Sequence, residues 1–252
     1  MFKRLIILVS ALVCLSVALR AQEKPRKAFR PDIPGSFMID FGFNNGQNKP
    51  VGFDQSFWGS RTLNLYYHYP VRIPNTKFSY NPGAGFAFER FKFTNNYTLL
   101  QQPATDGTMI LDDPTKTLFV GGSVKKSMLV ANYIDFMPLE FRFDTNPKDV
   151  SRGFNVTVGG RVGFLMESHT KIKYTEGVAS GIYKDKQQHG LNTFRYGVYT
   201  RIGVGNFNWF WFYNFSTYFS ANKGPHVSGP TGIDATPSTM NTMTIGISLN
   251  GF

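Results

Sequence analysis

Only at Glu167-Ser168-His169 do an acid, a hydroxyl and an imidazole adjoin in this sequence. A hydroxyl activated by imidazole and steadied by a carboxylate would be acyl-transfer chemistry. Consecutive residues of a strand point to opposite faces, however, so the three read as polar residues at a strand end. His68, His169, His189 and His226 are scattered. None has a second metal-ligating residue at helical or hairpin spacing. The single cysteine, Cys14, lies inside the apolar run 5–19. Once that run is removed, neither a disulfide nor a thiolate site can form. Gly83-Ala84-Gly85 and Gly159-Gly160 fall within strand-like runs, where glycine relieves crowding or permits curvature, and are not phosphate loops. The sequons at Asn96 and Asn155 are chance matches. No catalytic residue, cofactor or metal is expected.

The chemistry that remains lies in charges at regular spacing. Asp40, His68, Glu89, Arg161, Arg195 and Arg201 sit within alternating runs, on the phase opposite to the apolar residues, as do Asn64, Tyr66 and Glu167. Tyr133, Asp135, Glu140 and Arg142 belong with them if one irregularity is allowed. Ile134 and Phe136 share one phase while Leu139, Phe141 and Phe143 share the other. One extra residue near Met137-Pro138 keeps Asp135, Glu140 and Arg142 on the same side. A β-bulge supplies it, and proline suits such a site because it has no ladder N–H.

The elements that carry these residues are long strands. Alternation places them at 36–44, 61–72, 77–93, 128–143, 153–167, 193–205, 206–219 and 239–249. Strands of soluble sandwiches are usually five or six residues long, whereas crossing a bilayer obliquely takes about 9–11. Connections alternate as well. Those at 45–60, 94–127, 168–192 and 220–238 are long, and those at 73–76, 144–152 and 205–207 are short. Long loops on one rim and short turns on the other fit a transmembrane barrel, with the loops extracellular, the turns periplasmic and both termini periplasmic. The expected fold is all-β, an eight-stranded antiparallel transmembrane β-barrel. Arginine facing hydrocarbon at mid-depth costs about 2–4 kcal/mol, so the charged phase faces the lumen. An eight-stranded lumen has room only for side chains. Acids and arginines there should pair and plug it; an ion path is the alternative.

Composition agrees. Twenty-five Phe, twelve Tyr and twenty-five Gly are strand material. Lys3 and Arg4, the apolar run and Ala21 form an export signal over 1–21, cleaved before Gln22. Residues 22–34, with Pro25, Pro31 and Pro34, form a periplasmic lead-in, and the barrel occupies 35–252. Without Lys3, Arg4 and Arg20, 24 basic residues face 16 acidic ones, a charge of +8. In an exported protein the partner implied is anionic lipid or lipopolysaccharide, not nucleic acid. Trp58, Tyr97, Tyr174, Trp209, Trp211 and Tyr218 stand where strands meet loops, as in an interfacial girdle.

The segment 132–143, Asn-Tyr-Ile-Asp-Phe-Met-Pro-Leu-Glu-Phe-Arg-Phe, resembles the signature strand of the PorT-like outer-membrane β-barrel family of Bacteroidota. Tyr133, Asp135, Pro138 and Arg142 match by type, with one additional residue before the proline; Gly159–Gly163 is also similar to the family. The terminal Phe252 fits recognition by the barrel-assembly machinery, although its phase differs from that of Ile245, Ile247 and Leu249. The resemblance implies residence in the outer membrane. For the founding member it also implies a part in type IX protein secretion, in company with other secretion proteins and without enzymatic activity. An adhesin or ligand-binding barrel working through its loops is the second expectation. A lipid-modifying enzyme is the third.

Overall fold

The computed structural model describes residues 35–101, 109–147, 149–150, 152–221, 223–229, 232–234 and 239–251. The expected signal 1–21 and lead-in 22–34, with Phe252, lie outside these residues. Eight strands form the wall: β1 (Ser36–Gln47), β2 (Arg61–His68), β3 (Gly83–Phe93), β4 (Ser123–Asp144), β5 (Phe154–Glu176), β6 (Phe194–Val204), β7 (Phe207–Asn214) and β8 (Asn241–Asn250). Each pairs antiparallel with its neighbour in sequence, and β8 returns to β1 with Met38 opposite Asn250 and Gln47 opposite Asn241. The ring is closed, which leaves no free edge.

Period-two alternation builds this wall. Along β1, Met38, Asp40, Gly42 and Asn44 are buried while Phe37, Ile39 and Phe41 are exposed. Along β6, Arg195, Gly197, Tyr199 and Arg201 are buried between outward residues. The outer surface is apolar over a band bounded by residues such as Phe37 and Trp209 at one end and Phe43 and Phe164 at the other. Hydrocarbon, not water, is the solvent that such a surface matches.

The bulge expected in β4 is present. Phe136 pairs with Val162 and Leu139 with Gly160, so three steps on β4 face two on β5. Pro138 and Leu139 both point outward, and Asp135, Met137, Glu140 and Arg142 all stay buried. The neighbour on the other side breaks at the same level. The run 77–93 divides into Phe78–Tyr80 and Gly83–Phe93 around Asn81-Pro82, and both pieces pair with β4. Pro82 has no N–H for the ladder, while the Asn81 N–H donates to the Glu140 carbonyl at 2.9 Å.

Other bounds differ from expectation: β4 begins at Ser123 rather than 128, β7 ends at Asn214 rather than 219, and two more differences reshape the rims. β2 ends at His68 before Pro70, and Val71–Arg72 turns back to pair with Phe78–Tyr80. β5 runs nine residues past the expected end to Glu176, turns through Gly177 (φ 57°) and returns as Ala179–Asp185. A second irregularity makes this extension possible. Asn132 pairs with Glu167 but Tyr133 with Leu165, so Met166 is extra. The phase of β5 inverts there, which corrects the expectation for Glu167: it is exposed, outward, and takes the Asn132 amide at 3.2 Å.

The girdle also needs correction. Trp58 and Trp209 are well exposed, and Phe43, Phe57 and Trp58 cluster with centroids 5.2–5.4 Å apart. Tyr218 is buried inside, Tyr97 packs against the same interior cluster, and Tyr174 stacks on Phe119 at 3.9 Å. Those three residues stand on loops or beyond the apolar band, where packing among the loops outweighs any interfacial role.

Candidate functional site

Inward positions on β1 to β6 place Asp40, His68, Glu89, Tyr133, Asp135, Glu140, Arg142, Arg161, Arg195 and Arg201 in the lumen, all buried. Eight of them join in one ladder of contacts. Nearest the long-loop rim, Arg195 reaches Glu89 Oε1 at 2.5 Å with Nη1. Its Nη2 binds both Asp135 oxygens at 2.9 and 2.7 Å, and its Nε adds a bond at 3.1 Å. Arg161 lies 3.8 Å from Asp135 and 3.9 Å from Asp40. Arg201 bonds Asp40 at 3.2 Å and Glu140 at 3.0 Å. Glu140 also accepts the Tyr199 hydroxyl and the Asn81 amide. The His68 Nδ1 faces two acceptors at 3.3 Å, Glu140 and the Asn81 carbonyl, which assigns the proton to that nitrogen.

Arg161 is held differently from its neighbours. Its guanidinium carbon sits 4.1 Å from the Phe212 ring centre, 5.0 Å from Tyr66 and 5.4 Å from Tyr199. Arg195 likewise lies 3.7 Å over Tyr133. Desolvated cations on ring faces gain about 2 kcal/mol each. Tyr66, which donates to Asp135 at 2.7 Å, is thus both ring and donor. Tyr66 and Tyr199 were legible from inward parity. Phe212 was not, because β7 is aromatic on both faces.

Below the ladder, at the short-turn rim, opens a vestibule of about 310 Å³ lined by His68, Arg72, Asn81, Glu140, Arg142 and Asp144 among others. Arg142 Nε donates to Asp144 at 2.9 Å, and Arg72 approaches the same carboxylate at 3.8 Å. Arg142 therefore belongs to the vestibule rather than to the ladder.

Above the ladder the lumen is apolar. Phe53 from the first long loop packs with Phe91, Phe93 and Phe219, its ring centres 5.0–6.2 Å from theirs. Leu99, Met109 and Leu111 from the short strands Thr98–Gln101 and Met109–Asp112, with Leu191, Tyr218 and Met240, complete the cluster. Each fully buried side chain of this size contributes about 1.5–3 kcal/mol. Backbone bonds lock the loops together: Asn192 N–H to the Tyr218 carbonyl, Tyr218 N–H to Met240, and Ser220 N–H to Gly190. Burial pushes the Tyr218 phenol well above its ordinary range. Desolvation likewise lowers the His189 imidazole from 6.5, against the pull of Asp185 at 3.6 Å. Phe53 and Leu191 stand on loops and have no periodic signal, whereas Phe91 and Phe93 are inward on β3, and Tyr218 and Phe219, within the expected run 206–219, lie past the end of β7.

At Glu167-Ser168-His169 the geometry is not catalytic. Ser168 is turned inward and donates to the Gln187 carbonyl at 2.6 Å, whereas His169 points outward, 3.5 Å from Glu167. Among the described residues no group of three or more His, Cys, Asp or Glu could hold a metal ion.

A closed eight-stranded ring with an apolar outer band and a charged, filled lumen is a barrel of the outer-membrane class. The chain belongs to the outer membrane protein beta-barrel domain family, whose model matches residues 21–223. Its place is the outer membrane. No curated protein matches the chain. Among solved structures it is similar to the crystal structure of Neisserial surface protein A (NspA), at 9% identity and a TM-score of 0.36, covering 87% of this chain and 97% of that one.

Proposed function

We propose that this protein is a non-enzymatic accessory barrel, with its long loops outside and its termini in the periplasm, that works through its two end faces and not through its lumen. One observation carries the reading: the lumen is occupied by the Glu89-to-His68 ladder and covered by the Phe53 cluster. Buried charges so paired stabilise a fixed wall and give an ion no path. The resemblance of 132–143 to the PorT-like strand favours service in a type IX-like secretion complex, whose proteins are then its partners, together with the barrel-assembly machinery during biogenesis.

Deletion of the gene followed by analysis of secreted proteins tests this, with planar-bilayer recording of the purified barrel beside it. The expected result is loss of secreted cargo from the mutant and no stable conductance from the barrel. Unchanged secretion, or a steady open channel, refutes the proposal. The second reading, an adhesin, draws on the arm formed by the outer half of β5 and Ala179–Asp185, which extends the wall beyond its apolar band. Loss of adhesion with intact secretion selects it, and altered lipid A in the mutant selects the lipid-modifying enzyme.

A further inference from the structure

Cross-strand register at the long-loop rim places like charges face to face. Arg61 on β2 is directly opposite Arg90 on β3, Lys126 on β4 opposite Lys173 on β5, and Lys171 on β5 opposite Lys184 on the returning arm. Lys92 lies one outward step above Arg90. Like charges directly opposite are destabilising, by up to about 1 kcal/mol per pair. Among the described residues none of these seven cations is in an ion pair, and the Arg90 Nε is buried without a hydrogen-bond partner. Burial, and then the charges of Arg90, Lys92, Lys171 and Arg61, hold the Lys126 ammonium below its ordinary range; Lys126 stands above the apolar band. The outward carboxylate beside this patch, Glu167, is already engaged by His169 and Lys186.

Four of these cations, Arg61, Arg90, Lys171 and Lys184, border a shallow depression of about 380 Å³ that Glu89 and His169 also line and whose lower wall is Leu63, Phe88 and Val130. A basic rim above an apolar wall complements a molecule with an anionic head and hydrocarbon tails. Arg in particular matches phosphate oxygens. We propose that this face of β2 to β5 is a binding site for a phosphorylated, multiply acylated membrane lipid of the lipid A type. Its phosphates sit among Arg61, Arg90 and Lys171 and its acyl chains lie along Leu63, Phe88 and Val130. The lipid's identity, though not the site, rests on the orientation proposed above.

The test refolds the protein in phosphatidylcholine vesicles containing a little lipid A. The vesicles are then dissolved in mild detergent, and retained lipid is counted by native mass spectrometry. The variant Arg61→Gln/Arg90→Gln/Lys171→Gln is compared with the wild type and with Lys77→Gln/Arg152→Gln/Lys223→Gln, which removes the same charge elsewhere. The expected result is at least tenfold less lipid A on the first variant only, with its lipid-free unfolding midpoint unchanged or raised because repulsion is relieved. Equal retention by all three proteins, equal retention of a dephosphorylated lipid A, or full competition by millimolar inorganic phosphate overturns the proposal. Protease access to the long loops on intact cells reads orientation separately. Loops found inside, with tenfold selectivity intact, would refute that orientation and leave the site standing for an inner-leaflet phospholipid.

Discussion

Replacing Arg195 by methionine keeps most of the side chain's bulk and removes the guanidinium between Glu89 and Asp135. Four N–H···O contacts of 2.5–3.1 Å go with it, as does the stacking on Tyr133. The carboxylates left behind are 3% and 0% exposed, so water cannot resolvate them cheaply. Asp135 retains the Tyr66 hydroxyl and Arg161 at 3.8 Å, whereas Glu89 has no other side-chain partner among the described residues. Summing four charge-assisted bonds at about 1.5–3 kcal/mol overshoots, because such contributions are not additive and the wall can relax. Breaking a buried pair typically costs about 3–5 kcal/mol, or roughly three decades in the folding equilibrium. Urea unfolding in lipid vesicles, followed by tryptophan fluorescence, measures the loss. Adding Glu89→Gln and Asp135→Asn to Arg195→Met should restore at least half of it, because the stranded charges are then gone. A loss under about 1 kcal/mol, or a triple variant no better than the single one, would refute the ion-pair reasoning and leave packing as the role of Arg195.

Gly163→Ala should destabilise by about 1–3 kcal/mol, since its Cβ would lie 2.2 Å from Asp135 Oδ1 and 2.9 Å from Arg195 Nε. Gly160→Ala, on the outward phase with nothing within 4 Å, should be nearly neutral in the same unfolding experiment. Deleting Pro138 removes the extra residue of β4, so Phe136 and Leu139 stand two steps apart like Val162 and Gly160, and Asp135, Glu140 and Arg142 keep one phase without a bulge. The barrel should then keep its compact, faster-migrating form in unheated gels, and loss of the heat shift would show that the bulge does more than carry one extra residue. The depressed His189 imidazole gives the third loop a pH dependence. Its packing is complete above the unfolded value of 6.5 and weakens as pH falls through 6.5 toward the lower folded value, because the unfolded chain takes up the proton first. Hydrogen-exchange protection factors across 185–191, which are corrected for the intrinsic pH dependence of amide exchange, should be lower at pH 5.5 than at pH 7.5, and in His189→Gln that difference should vanish.

The sequence by itself determined the wall. Alternation is a local property, so Phe37, Ile39 and Phe41 against Met38 and Asp40 declare two faces without knowledge of any partner strand. Even the bulge was legible, because Pro138 and the broken phase of Asp135, Glu140 and Arg142 are visible within one strand. The tertiary structure decided everything that depends on what lies across the lumen. Parity could place Arg161 inside, but not between the Phe212, Tyr66 and Tyr199 rings, since those come from three other stretches of chain. It misplaced Glu167 because the extra Met166 has no proline or glycine to mark it. The plug was invisible for a further reason. Phe53 stands on a loop, Leu99 on a short strand outside the wall and Phe219 past the end of β7, where the period of the wall does not constrain burial, and only closure of the ring brings them together over one opening.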